Sequence, residues 1–145
     1  MADPNAVQHT LACAQSFERV GEPEGLPTLA QCVAYLATAV KSNAVSLSFD
    51  TAMELAEKSG SVPPPRHLIN APTAMMRAMG FKDGYRYDHD FEHAFSGQEV
   101  FPDGLDGDCR PEIYRPNERG HEREIRKRMQ FWDSLRERLK GSVAR

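Results

Sequence analysis

A mainly α-helical fold is what this sequence predicts: a helical bundle, a loop-rich segment holding short strands, and a long C-terminal helix. Two observations set the helices. Apolar residues recur at three- and four-residue steps through most of the first 60 positions, and the same period returns from Asn117 onward. A third observation sets the middle. Residues 61–116 lose the period and are crowded with proline, glycine and aromatic side chains. At 145 residues the chain is long enough to bury a core without disulfides or a structural metal.

The first helix is expected to open at Asp3-Pro4, with Asp3 as cap and proline at the first helical position. Val7, Leu11, Ala14 and Phe17 then mark one face as far as Gly21. Gly21-Glu22-Pro23-Glu24-Gly25 is a breaker cluster. Leu29, Cys32, Val33, Leu36, Ala37 and Val40 make a second helix, apolar around much of its circumference and therefore expected to be buried. Ser42 or Asn43 can cap a third, carried by Val45, Phe49, Ala52, Met53 and Ala56 and ending near Gly60. Short connections favour antiparallel neighbours.

From Ser61 the reading changes. Val62-Pro63-Pro64-Pro65 must be extended, because each proline fixes its own φ and restricts its predecessor. Pro72 is expected at the first position of a short helix, Thr73 to Met79, with Asn70 or Ala71 adjoining the cap. Gly80 ends it. Tyr85-Arg86-Tyr87 and Glu99-Val100-Phe101 alternate like short strands, and Asp103 to Pro111 reads as a surface loop. Asn117 is the expected cap of a last helix, to about residue 140, with Ile125, Met129, Trp132, Leu135 and Leu139 on one stripe.

Charge is unevenly spread. Residues 1–60 carry three basic and seven acidic side chains, 61–120 seven and ten, and 121–145 eight and four. Only the last segment offers a basic face, so the chain is no polycation that coats nucleic acid by counterion release. Arg123, Arg126, Lys127 and Arg128 are the candidate contacts for DNA or a protein partner. Three cysteines, Cys13, Cys32 and Cys109, cannot all pair and share no CxxC spacing, which points to a reducing, cytoplasmic setting. No leader or membrane anchor is expected.

The residues bear on several chemistries. No glycine precedes a lysine, so the phosphate-cradling GxxxxGK[ST] loop is absent and the chain is expected to be non-catalytic, with no cofactor of its own. Asp88-His89-Asp90 with Glu92 and His93 is the densest set of metal-ligand types. The favoured reading makes His89 a buried histidine oriented by a carboxylate, and no metal site is expected. Nothing positions His121 as a base for Cys109. Tyr85, Tyr87 and Tyr114, interleaved with Arg86 and Arg115, either stack nucleobases or fill a small second core, the latter being favoured. The first three helices hold more apolar surface than such a unit can hide.

A family resemblance emerges from motifs that keep their order along nearly the whole chain. Tyr35-Leu36-Ala37 followed by Lys41-Ser42-Asn43-Ala44-Val45 resembles "YLA…PKSNAVY" of the RarA/MgsA group of AAA+ ATPases, which includes the Werner-helicase-interacting proteins. His67-Leu68-Ile69-Asn70-Ala71-Pro72-Thr73 resembles "HLRNAPT". Gly84-Tyr85-Arg86-Tyr87-Asp88-His89-Asp90 resembles "GYRYAHD". Tyr114-Arg115-Pro116-Asn117-Glu118-Arg119-Gly120, with Glu122 and Ile125, resembles "YEPTDRGxExxI". Val40 stands where the group has proline, Ile69 where it has arginine, and the Asp103–Pro111 connection is longer.

The resemblance implies a C-terminal piece of a larger ATPase, with a helical domain like the clamp-loader collar over residues 3–60 and a group-specific extension over 61–145. It implies that this region assembles a tetramer, Leu36 being a candidate contact. It also implies that ATP and Mg2+ bind in a separate ATPase module, and that the intact protein acts at replication forks. There it would engage DNA forks, single-stranded junctions and single-strand binding protein, in a bacterial cytoplasm at the nucleoid. The alternative is a DNA- or partner-binding module using the basic last helix and the tyrosine-rich loop. An independent metal-dependent enzyme built on Asp88, His89 and Asp90 ranks last.

Overall fold

A computed structural model describes residues 1–105 and 110–143, with side chains described through residue 140. Cys109 and part of the 103–111 connection lie outside the described residues. The described chain is helical: α1 (Ala6–Val20), α2 (Leu26–Thr38), α3 (Ala44–Ser59), α4 (Ala74–Ala78) and α5 (Glu122–Val143), with short 3-10 turns at Arg66–Leu68, Asp88–Asp90 and Glu92–Ala94. Among the described residues there is no strand. Tyr85-Arg86-Tyr87 and Glu99-Val100-Phe101 are irregular, because side-chain hydrogen bonds rather than a strand partner occupy much of their backbone. Among the described residues no helix is long and apolar enough to cross a membrane.

The chain divides into two compact units. The first joins Met1–Phe49 to Tyr114–Gln130, and the second joins Asp50–Ile113 to Phe131–Arg145.

In the first unit, α1 packs on α2 as an antiparallel hairpin, with His9 beside Tyr35 and Cys13 beside Cys32. α1 starts two residues after Pro4. The Asp3 carboxylate accepts the Asn5 N–H at 2.9 Å and so ties down the turn ahead of the helix. Gly25 closes the turn between the helices. A Cβ there would meet the Gly21 carbonyl oxygen at 2.6 Å and the Phe17 ring at 2.9 Å, so only glycine fits. The expected burial of α2 is not what the structure has. Cys32 is its one buried residue, while Val33 is 67% and Leu36 40% exposed. An apolar circumference needs partners on every side, and the hairpin supplies one. Ser42 caps α3, its Oγ accepting the Ala44 N–H at 3.1 Å.

In the second unit the packing centres on aromatic rings beneath the later turns of α5. Trp132 lies 5.1 Å from both Phe95 and Phe131 between ring centroids, and the Arg136 guanidinium sits 5.4 Å above Phe95. Leu135 is buried at the centre of the predicted stripe. α4 begins one residue later than expected. Thr73, not Asn70 or Ala71, is its cap, accepting the Met76 N–H at 3.2 Å, and Pro72 therefore precedes the cap. α5 likewise begins at Glu122 rather than beside Asn117, because Asn117 to Gly120 form a separate turn. The Asn117 side-chain oxygen closes it by accepting the Arg119 N–H at 2.8 Å.

Candidate functional site

The motif residues gather at two places, one in each unit. In the first, Glu122 is fully buried at the start of α5. Its carboxylate accepts the Ser42 hydroxyl at 2.9 Å, the Asn117 N–H at 3.0 Å and the N-terminal ammonium of Met1. Asn117 Nδ2 donates in turn to Ser42 Oγ at 2.7 Å, so three residues from distant parts of the sequence close on one carboxylate. The N-terminal segment is held alongside, with the His121 N–H donating to the Ala2 carbonyl at 2.8 Å. Gly120, at φ +51°, makes this approach possible, because a Cβ there would collide with that carbonyl.

Burial works against the Glu122 charge. The ammonium, the Asn117 amide and the Ser42 hydroxyl outweigh it and hold the carboxyl below the ordinary glutamate range. Tyr114 responds in the opposite direction. Its hydroxyl is buried, and burial followed by the nearby Glu122 carboxylate raises its pKa. Ser42, Asn117 and Glu122 thus tie separate stretches of the chain together. The arrangement is a latch.

The second gathering is the loop from Arg86 to Gln98. Its base is fastened twice. The Gln98 side-chain amide bridges the Arg86 backbone, accepting its N–H at 3.2 Å and donating to its carbonyl at 2.9 Å. Asp88 Oδ1 accepts both the Ser96 N–H at 2.9 Å and the Ser96 hydroxyl at 2.5 Å. Those two Ser96 bonds, against a smaller opposing effect of burial, lower the Asp88 pKa. His67, from the preceding motif, donates from Nε2 to the Glu99 carbonyl at 2.8 Å, and the Lys82 N–H reaches the Arg66 carbonyl at 3.0 Å. A cleft of about 510 Å³ lies beside the clamp, lined by His67, Asp83, Arg86, Glu99, Arg136 and Lys140 among others.

Two expectations for this loop are corrected. His89 is exposed rather than buried, and its ring lies 5.1 Å from that of Tyr87. Tyr85 and Tyr87 do not fill a core. They are 42% and 55% exposed, with the Lys82 ammonium 5.7 Å above the Tyr85 ring. The fastenings at the loop base satisfy the polar backbone without burying the rings. Among the described residues no three His, Cys, Asp or Glu side chains converge as metal ligands would. Asp90 lies exposed in the 3-10 turn, as do Lys41 and Asn43 ahead of α3 and Asn70 ahead of α4.

The four candidate cations near the start of α5 are exposed but partly neutralised. Arg126 pairs with Glu118 at 2.7 Å and Lys127 with Glu124 at 2.9 Å. Arg123 and Arg128 also lie close enough to lower the Glu124 pKa, after the larger effect of Lys127. Sequence reasoning named all four cations. It missed Glu122 as an anchor, having named it only as part of the motif that begins at Tyr114.

A family model for the C-terminal part of MgsA AAA+ ATPases matches residues 1–133. The chain is 39% identical over 140 residues to replication-associated recombination protein A of Coxiella burnetii, covering 96% of this chain and 31% of that protein. With the protein of the same name in Escherichia coli K12 it shares 42% over 125 residues, or 86% and 27% of the two lengths. With the ATPase WRNIP1 of Dictyostelium discoideum it shares 39% over 101 residues, or 70% and 12%. The chain thus spans about a third or less of these relatives. It belongs to the family of C-terminal regions of MgsA AAA+ ATPases.

Proposed function

We propose that this chain is the oligomerisation region of a RarA/MgsA-type AAA+ ATPase, non-catalytic in itself, which assembles as a tetramer. The observation that carries this reading is the apolar surface left open on the first three helices. Val7 and Leu11 of α1, Val33 and Leu36 of α2, and Leu47 and Phe49 of α3 are all exposed. Soluble monomers rarely expose contiguous apolar surface on that scale.

Joined to ATPase modules, such an assembly would raise their effective concentration on one DNA molecule. The names of the relatives favour work in replication-associated recombination, with ATP and Mg2+ bound by the ATPase module. On this reading forks, single-stranded junctions and single-strand binding protein are partners of the intact protein. The absent GxxxxGK[ST] loop supports a chain that neither binds nor hydrolyses ATP, and calorimetry with ATP is expected to give no saturable heat.

Leu36→Glu tests the assembly. Because Leu36 is exposed, the helical circular dichroism should persist while sedimentation velocity reports a smaller species. An unchanged sedimentation coefficient in a folded Leu36→Glu protein would remove α2 from the interface.

A second reading rests on a different observation, the exposed Tyr85 and Tyr87 on a loop fastened at its base. Rings held this way can stack on nucleobases at low entropic cost, with Arg86 between them available to phosphates. Loss of single-stranded DNA affinity in Tyr87→Ala, with assembly intact, would support it.

A further inference from the structure

α1 and α2 each bury one side chain, and in both helices it is a cysteine. Cys13 is 5% exposed and Cys32 8%, while longer apolar residues of the same helices stay open to solvent. A larger hydrocarbon side chain buries more apolar area than a thiol, so apolar burial alone does not select cysteine twice. The two thiols meet across the hairpin, and both are free. One turn earlier on α1, His9 Nε2 lies 3.7 Å from Cys13 Sγ. The His9 ring packs 4.4 Å from that of Tyr35, whose hydroxyl donates to Asp3 Oδ2 at 2.8 Å and so holds the neighbouring group in place. The interior of the hairpin is therefore a dithiol with an imidazole against it.

We propose that Cys13 and Cys32 form an oxidative modification site, at which a peroxide converts the dithiol into an intrachain disulfide joining α1 to α2. The Cys13 thiol gives its proton to His9 Nε2 and its sulfur attacks one peroxide oxygen. The O–O bond breaks, and the departing hydroxide takes the proton from the imidazole and leaves as water. Cys13 is now a sulfenic acid. The Cys32 sulfur attacks Cys13 Sγ, the S–O bond breaks, and hydroxide leaves with the Cys32 proton as a second water. Two thiols are oxidised by two electrons, and the peroxide is reduced to two waters.

Burial, with a smaller contribution from Cys32, raises the Cys13 pKa, so Cys13 rests as the thiol. Bulky disulfides are excluded from such a site, and a small oxidant with a proton acceptor at hand is what it suits. Closing the bond requires the two Cβ atoms to approach to about 3.8 Å.

The test uses the full chain carrying Cys109→Ser, exposed to hydrogen peroxide and then mapped without reduction. Trypsin cuts after Arg19 and Lys41, so the expected product is peptide 1–19 joined to peptide 20–41 within one chain. Two titratable thiols per chain are expected to disappear and to return with dithiothreitol. In Cys32→Ala, Cys13 should instead be trapped by dimedone, and His9→Gln should slow disulfide formation severalfold at an unchanged melting temperature. The proposal is overturned if both thiols remain titratable after doses that oxidise free cysteine. It is equally overturned if the linkage joins two chains, or if Cys13 proceeds to sulfinic acid while Cys32 is present.

Discussion

Glu122 and Asp88 are both carboxylates that fasten one stretch of chain to another, and they do so in opposite surroundings. Glu122 is fully buried and gathers Ser42, Asn117 and the N-terminal segment, groups up to 121 residues away in sequence. Asp88 is exposed and fastens Ser96, eight residues on. The first unit is thus closed by a long-range, dehydrated anchor, and the loop of the second by a local, hydrated one. The difference teaches where each unit keeps its stability. A buried charge whose partners are removed is left with its desolvation penalty, whereas an exposed one falls back on water.

The largest expected effect follows directly. Ser42→Ala strips one neutral donor from a buried charge while the Asn117 N–H remains, and Glu122→Ala empties the site and orphans the donors. Glu122→Ala is expected to cost about 2–3 kcal/mol in urea unfolding followed by circular dichroism, because the buried donors it served are left unpaired. Ser96→Ala, which removes a hydroxyl from Asp88 but leaves the backbone bond, should cost about 1 kcal/mol. Equal losses at the two sites would break the comparison.

The pH dependence sharpens it. Both carboxyls have folded-state pKa values below their unfolded ones. Each therefore contributes stability that is fully present above the ordinary carboxylate range and lost as pH falls through the lowered value. Glu122→Gln is expected to flatten the acid limb of a stability–pH curve more than Asp88→Asn does. Next in size is Gly25→Ala, whose Cβ meets backbone at the hairpin turn, at about 1–3 kcal/mol by thermal unfolding. Smallest is Lys58→Ala. Its exposed partner Glu54 lies one helical turn away, and the change should stay within about 0.5 kcal/mol.

How much of this was legible in the sequence depends on how far the determining partner lies along the chain. The period of Ile125, Met129, Trp132, Leu135 and Leu139 is local, and it gave the face of α5 that packs, with Leu135 buried at its centre. Ser42 announced itself as a cap for the same reason. The start of α5 was misread because Asn117 is an equally good cap for a turn, and only the closure of Glu122 on Ser42 decides between them. Tyr85 and Tyr87 were assigned to a core because their sequence neighbours give no sign of the Gln98 amide, eleven to thirteen residues on, that occupies the backbone between them. The burial of α2 was misjudged for another reason. Periodicity reports that an apolar face needs a partner, and it does not report whether that partner is in the same chain.

That distinction underlies the oligomeric reading, and one measurement tests it most directly: the solution mass of the chain by multi-angle light scattering across a wide concentration range. The proposal predicts a mass near four times 16.3 kDa that does not change on dilution into the low micromolar range. A chain that runs at 16.3 kDa at high micromolar concentration, with its helices intact, would contradict it.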